Sequence, residues 1–154
     1  MAYAAVRLRG LVNVNPDIRK TLELLNLTRV NHCVLIQKNP TTDGMLQVVK
    51  DFITWGEIDK KTLKNLIEKR GRMIGDKKLT DADIKNSTSY DNVDKLSDAI
   101  ISDKFKYKDI SNVKPIFRLS PAKNGLKSIK RPYNKKGSVG YRGNDINKLL
   151  EKMI

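Results

Sequence analysis

The chain has 154 residues, 39% hydrophobic and 31% charged, with 31 Lys and Arg against 17 Asp and Glu for a net charge of +14. The length suits one domain and the charge favours a polyanionic partner. No run approaches the roughly 18 apolar residues of a membrane span, Met1–Arg7 turns charged too soon for a secretory signal, and one Cys and one His exclude an internal disulfide and a four-ligand Cys/His zinc site.

Ala2–Leu8 reads as a first strand. Asn15 then caps a helix with Pro16 at its first position. Ile18, Leu22 and Leu25 recur along it at helical spacing until Asn26-Leu27. Cys33–Ile36 is a short apolar run, read as a second strand. Thr42–Val49 reads as a helix with Met45, Val48 and Val49 on one side. The β-branched and aromatic Phe52–Trp55 is a third strand. Strand, helix, strand, helix, strand implies helices packed on a three-stranded sheet.

After Gly56 the pattern turns helical. Asp59–Arg70 puts Leu63, Leu66 and Ile67 on one face, with Gly71 able to cap its end. Thr80 caps a short helix through Lys85, with Asp81 and Asp83 in an acidic first turn. Val93–Ile101 gives another helix, and Ile116–Leu119 a last short strand. In Asp145–Ile154 the residues Ile146, Leu149, Leu150 and Met153 share one helical face. Four stretches of one structural unit follow: a core over 1–57, a helical extension over 58–113, a basic loop over 114–144 and a C-terminal helix over 145–154.

The charge is uneven. Residues 114–144 carry nine basic side chains and no acidic one. Pro115, Pro121, Pro132 and four glycines break regular structure there, so most of it is expected to be extended loop. Such a loop repels itself in water and gains counterion release against phosphates. Its Tyr133, Tyr141, Leu119, Leu126, Ile129 and Val139 argue against a purely solubilising tail.

Catalytic patterns are thin. Gly137-x-x-Gly140-x-x-Gly143 has neither the Walker nor the dinucleotide spacing. His32 and Cys33 are adjacent on a strand and point to opposite faces, so they do not form a nucleophile–base pair. Cys33 is expected in the core and His32 exposed. Trp55 and Tyr90 are assigned to the core. Base-stacking sheet motifs of the Lys/Arg-Gly-Phe/Tyr-Gly/Ala-Phe type are missing, so RNA is expected along loops and edges.

Three sets of residues resemble a known family. The opening has Val6-Arg7-Leu8-Arg9-Gly10, Ile18–Leu27 and Val30-Asn31-His32-Cys33. The centre has Lys50–Glu57 and Ile67-Glu68-Lys69-Arg70-Gly71. The end has Phe117-Arg118-Leu119-Ser120-Pro121 and Ile146–Met153. In order and over almost the whole chain they resemble the large-subunit ribosomal proteins numbered thirty in archaea and bacteria and seven in eukaryotes, and the length favours the archaeal type. Asn124-Gly125 and Lys136-Gly137 depart from the Gly-Gly frequent in that family.

The resemblance implies an α+β, ferredoxin-like core with an antiparallel three-stranded sheet. It implies a non-enzymatic, cytoplasmic constituent of the large ribosomal subunit, without cofactor, small-molecule substrate or membrane contact. Its partners would be large-subunit rRNA and neighbouring ribosomal proteins. Carried to matching positions, RNA contact is expected at Arg7, Arg9, Arg29 and His32, and at Lys69, Arg70 and Arg72. The loop adds Arg118, Lys123, Lys127, Lys130, Arg131, Lys135, Lys136 and Arg142, with Tyr133 and Tyr141 stacking on bases. The alternative is a free RNA-binding or RNA-chaperone module outside the ribosome.

Overall fold

The structure, a computed structural model, describes residues 2–154. Strand β1 (Ala2–Arg7) lies between β2 (His32–Gln37) and β3 (Ile53–Glu57), antiparallel to both. Helix α1 (Pro16–Leu24) joins β1 to β2, and α2 (Pro40–Val48) joins β2 to β3. This unit is the α+β, ferredoxin-like core implied by the family resemblance. As the sequence indicates, Asn15 Oδ1 accepts the Asp17 N–H at 2.9 Å at the start of α1.

The extension folds back over the sheet as α3 (Lys60–Arg70), α4 (Asp81–Ser87) and α5 (Val93–Ile101), followed near the end by α6 (Ile146–Met153). Every residue of β1 is buried, where a sheet covered on one side would bury alternate residues. The reason is a helix layer on each face. Tyr3 and Ala5 pack with Leu22, Leu46 and Trp55 beneath α1 and α2. Ala2, Ala4 and Val6 pack on the other side with Leu63, Leu66, Leu96 and Leu150. Each such fully buried Leu stabilises by about 1.5–3 kcal/mol. None of the described helices is long and apolar enough to cross a membrane.

Some local readings shift. In α2 the buried residue is Leu46, with Val49 just beyond the helix, while Val48 faces solvent. These two, three apart, are the pair that turns toward the sheet. Gly71 does end α3, but with φ −61° rather than a left-handed cap. It is needed for space, since a Cβ there would collide with the Ile67 carbonyl. At α4, Thr80 is the cap residue as expected, and its N–H and hydroxyl donate to Asp83 Oδ2 at 3.0 and 2.6 Å, the reciprocal half of a capping box.

The largest correction concerns 114–144. That stretch is not one continuous loop, because three strands interrupt it. β4 (Ile116–Arg118) pairs antiparallel with β2, and β6 (Gly137–Tyr141) pairs parallel with β3. β5 (Ser128–Pro132) runs beside β6 with an irregular register. The sheet therefore has six strands, ordered β4-β2-β1-β3-β6-β5, instead of three. The outer edge of β3 supplies the cause, because backbone groups there need partners whatever the incoming side chains are. The Thr54 hydroxyl donates to Gly140 O at 2.9 Å, and the Arg142 N–H to Trp55 O at 2.9 Å. β5 is exposed throughout, and its Lys130, Arg131 and Pro132 suit an edge strand.

Candidate nucleic-acid interface

One end of the sheet collects cations from distant parts of the sequence. Arg7 closes β1, His32 opens β2, and Arg118 stands opposite His32 on β4. Arg7 is 3% exposed. Its guanidinium donates to Arg9 O at 2.8 Å, Leu27 O at 3.0 Å and Thr28 O at 2.6 Å, so it holds the loop after α1. Arg9 lies over the Phe52 ring at 5.0 Å and reaches Asp51 O at 3.2 Å. Arg29 is exposed and makes no ion pair or side-chain hydrogen bond among the described residues. Arg118 is exposed too, 3.5 Å from Asp76, which Lys114 also holds.

His32 is buried, not exposed as expected. β4 pairs alongside it, and its Nδ1 lies 3.2 Å from the Thr28 hydroxyl. Burial first, then the charges of Arg118, Arg29 and Arg7, lowers its pKa from the ordinary histidine value. A neutral ring thus sits among arginines. Cys33 is fully buried, and burial pushes its thiol up, so it stays protonated and inert.

The second set lies around β5 and β6. Lys123, Lys127, Lys130, Arg131, Lys135 and Lys136 are all exposed. None has an ion-pair partner, and none uses its side-chain nitrogen in a hydrogen bond, among the described residues. Lys136 holds a left-handed backbone at φ 59°. Beside it Gly137 lies so close to Arg131 that a Cβ would collide with the Arg131 carbonyl. That close approach folds the stretch into a ridge carrying its cations outward.

Arg142 anchors this ridge rather than lining it. Its Nε donates to the Thr54 hydroxyl at 2.9 Å and its terminal nitrogen to Ser138 O at 2.6 Å. The same guanidinium lies 4.5 Å from the Tyr133 ring, whose hydroxyl donates to Asp145 at 2.7 Å. Tyr141 donates to both Glu57 carboxylate oxygens at 2.7 and 2.8 Å, which pushes its own pKa up to about 12. Its ring packs on Tyr3 and Trp55, yet half of it stays exposed. Trp55 is core, and the half-buried Tyr90 packs edge-on against Phe105.

Of the third set, Lys69 is exposed, and Arg70 donates to Ser120 Oγ at 2.5 Å and Ile154 O at 2.9 Å. Among the described residues Arg72 donates only to the Gly71 carbonyl beside it, at 3.4 Å. The segment leaving β4 therefore passes the end of α3. It then meets the C-terminal turn of α6, where Lys123 N–H donates to Lys152 O at 3.1 Å.

Two cations escaped the sequence reading. Lys148 and Lys152, one turn apart on α6, line a cleft of about 290 Å³ together with Lys127, Arg142 and Tyr133. Their i,i+4 spacing opposite the apolar face was the available signal. Among the described residues, no cluster of three or more His, Cys, Asp or Glu can hold a metal ion.

Fold and charge define an α+β protein with a run of unpaired cations along one sheet edge and Arg29 unpaired at one sheet end among the described residues. Residues 3–53 match the family model described as ribosomal protein L30p/L7e. The chain is 46% identical to the large ribosomal subunit protein uL30 of Methanosphaera stadtmanae, over 99% of each chain. It is 44% identical to that of Archaeoglobus fulgidus, over 98% of this chain and 99% of the relative. Against that of Thermoplasma volcanium it is 44% identical, over 98% of this chain and 92% of the relative. The chain belongs to the L30p/L7e family, in its archaeal uL30 form.

Proposed function

We propose that this protein is a structural, non-enzymatic constituent of the large ribosomal subunit. It holds folded large-subunit rRNA against the ridge formed by β5, β6 and their flanks. The observation that carries the reading is the ridge itself: six exposed cations without a carboxylate among the described residues to neutralise them. Family membership supports the assembly, since the relatives carry the name of a large-subunit protein.

In this reading Lys123, Lys127, Lys130, Arg131, Lys135 and Lys136 contact phosphates, with Arg29, Lys69, Arg72 and Arg118 extending the track. Phosphate contacts position RNA without reading its sequence. Arg9 and the exposed half of Tyr141 lie at the margins of that surface. Arg7, His32, Arg70, Tyr133 and Arg142 serve by shaping it, each through bonds inside the fold. Neighbouring ribosomal proteins complete the surroundings.

Sedimentation through a high-salt sucrose gradient tests the reading. One copy per large subunit, retained after the wash, is the expected result. Protein found at the top of a low-salt gradient would overturn it in favour of a free RNA-binding module.

A further inference from the structure

Helix α6 carries cations that the ridge alone does not account for. Asn124 and Gly125 both hold left-handed backbones, with φ 64° and 71°. The turn they make sends Leu126 and Lys127 past Lys148, Leu149 and Lys152 of α6. The Lys123 N–H, donating to Lys152 O at 3.1 Å, ties the entry of this turn to the helix end. The Ser138 hydroxyl, donating to Lys127 O at 3.0 Å, ties its exit to β6. The result is a cleft of about 290 Å³ between the ridge and α6.

Its lining divides by chemistry. Leu126, Leu149 and the Tyr133 ring supply apolar surface, and Leu126 and Tyr133 are only half-buried. Tyr133 spends its hydroxyl on Asp145, and the Arg142 guanidinium, 4.5 Å from the ring, holds that ring in place. Asp145 is the acid of the lining, and both its oxygens are engaged, Oδ2 by Tyr133 and Oδ1 by Lys148 at 2.8 Å. Lys127 and Lys152 are exposed and have no ion-pair partner among the described residues. The cleft is therefore concave and positively charged, with an aromatic wall. Its volume stands at the small end of ligand pockets, which start at about 300 Å³.

We infer that this cleft seats one unstacked nucleotide of the rRNA, with its base against Leu126 and the Tyr133 ring and its phosphate between Lys127 and Lys152. A duplex is too wide for such a cleft, whereas a single-stranded turn or bulge presents splayed bases that pack on aromatic rings. Lys127 belongs to the ridge as well as to the cleft, so a strand following the ridge reaches the cleft along one continuous surface. The cleft thereby adds a place of fixed shape to a surface that otherwise offers charge. The inference rests on the proposed binding of large-subunit rRNA.

The test uses the full-length protein and large-subunit rRNA purified from the same source. Ultraviolet irradiation of the complex, followed by digestion and mass spectrometry, should place one nucleotide on Tyr133 or on Leu126-Lys127. Lys152→Ala should lower the slope of log affinity against log salt by about 0.7–0.9. Tyr133→Leu should weaken binding by about tenfold at an unchanged slope, and Tyr133→Phe should bind like the parent, since stacking needs the ring and is not ionic. The cross-link should survive an excess of free adenosine monophosphate. Cross-links confined to other segments, a slope indifferent to Lys152→Ala, or equal binding by Tyr133→Leu and Tyr133→Phe overturns the inference. So does a slope that falls in Tyr133→Leu, which would leave the ring a shaping role alone. Loss of the cross-link to the free nucleotide would make the cleft a small-molecule site and overturn the assignment to RNA. Failure of the parent protein to sediment with large subunits is a separate result, and it overturns the functional reading first.

Discussion

The helical extension and the ridge differ in what they do with similar side chains. Residues 58–113 hold 13 basic and 10 acidic groups, whereas residues 114–144 hold nine basic groups and no acidic one. On the helices, Lys60 meets Asp98 at 2.7 Å, Lys64 meets Asp94 at 2.8 Å, and Lys95 meets Asp91 at 2.9 Å. Hydrogen bonding to Asp94 raises the Lys64 pKa, while on the ridge no carboxylate reaches Lys130 or Lys135 among the described residues. A count of lysines thus says little about binding; the lysines still lacking a counterion are the ones that can release condensed ions from RNA.

The largest expected effect breaks that comparison directly. Changing Lys130, Arg131, Lys135 and Lys136 together to Ala should lower the slope of log affinity for rRNA against log salt by about 0.7–0.9 per lost contact. The matched change of Lys60, Lys64 and Lys95 should leave the slope where it was. Equal slopes for the two variants, measured by filter binding across a salt series, would place the interface elsewhere. The ridge variant should unfold like the parent, since all four side chains are exposed.

Arg7 sharpens the comparison from inside the core. It has the same chemistry as a ridge arginine, but its donors are spent on three carbonyls. Arg7→Ala leaves buried acceptors unpaired and should cost about 2–4 kcal/mol in urea unfolding. RNA binding by the protein that remains folded should keep its salt slope. A fully stable Arg7→Ala variant with a reduced slope would make Arg7 a phosphate contact instead.

These cases mark what can be read from a sequence. β1 to β3 announce themselves as short apolar, β-branched or aromatic runs, and α1 and α5 by apolar residues at helical spacing, because burial leaves that record in the sequence. β5 and β6 leave no such record. β5 is exposed on both faces, and β6 buries Gly137, Ser138 and Val139, of which one is apolar. Their place depends on the open edge of β3, a long-range fact. The same limit applies to Arg7, Arg142 and His32. A cation at a strand end reads as a ligand for RNA, but its partners here are carbonyls or hydroxyls of other segments, which every sequence contains. The ridge cations were legible because no acidic residue stands among them.

A smaller effect separates charge from backbone on the ridge. Lys136 sits at φ 59°, where a residue with a Cβ costs about 1–2 kcal/mol. Lys136→Gly removes that strain but adds freedom to the unfolded chain, so stability should stay level or rise by up to about 1 kcal/mol. The salt slope should still fall by about 0.7–0.9. Lys136 then reads as a phosphate contact held at a small backbone cost. A loss of stability in urea unfolding would show that Lys136 packs in a way its exposure does not suggest.

The smallest effect uses the only histidine in the chain. Burial and then Arg118, Arg29 and Arg7 lower the pKa of His32, so the folded ring stays neutral where the unfolded ring takes a proton. As pH falls from about 6.5, the unfolded chain binds more protons, and the native state must lose stability until the folded ring also titrates. The single set of imidazole proton resonances should report a midpoint below that of a free histidine. Binding of rRNA at Arg29 and Arg118 should move the midpoint upward, because phosphate cancels the repulsion those two arginines exert on the ring. If the midpoint does not move although the ridge is bound, the sheet end and the sheet edge do not share one RNA surface, and the cations around His32 belong with those of the core.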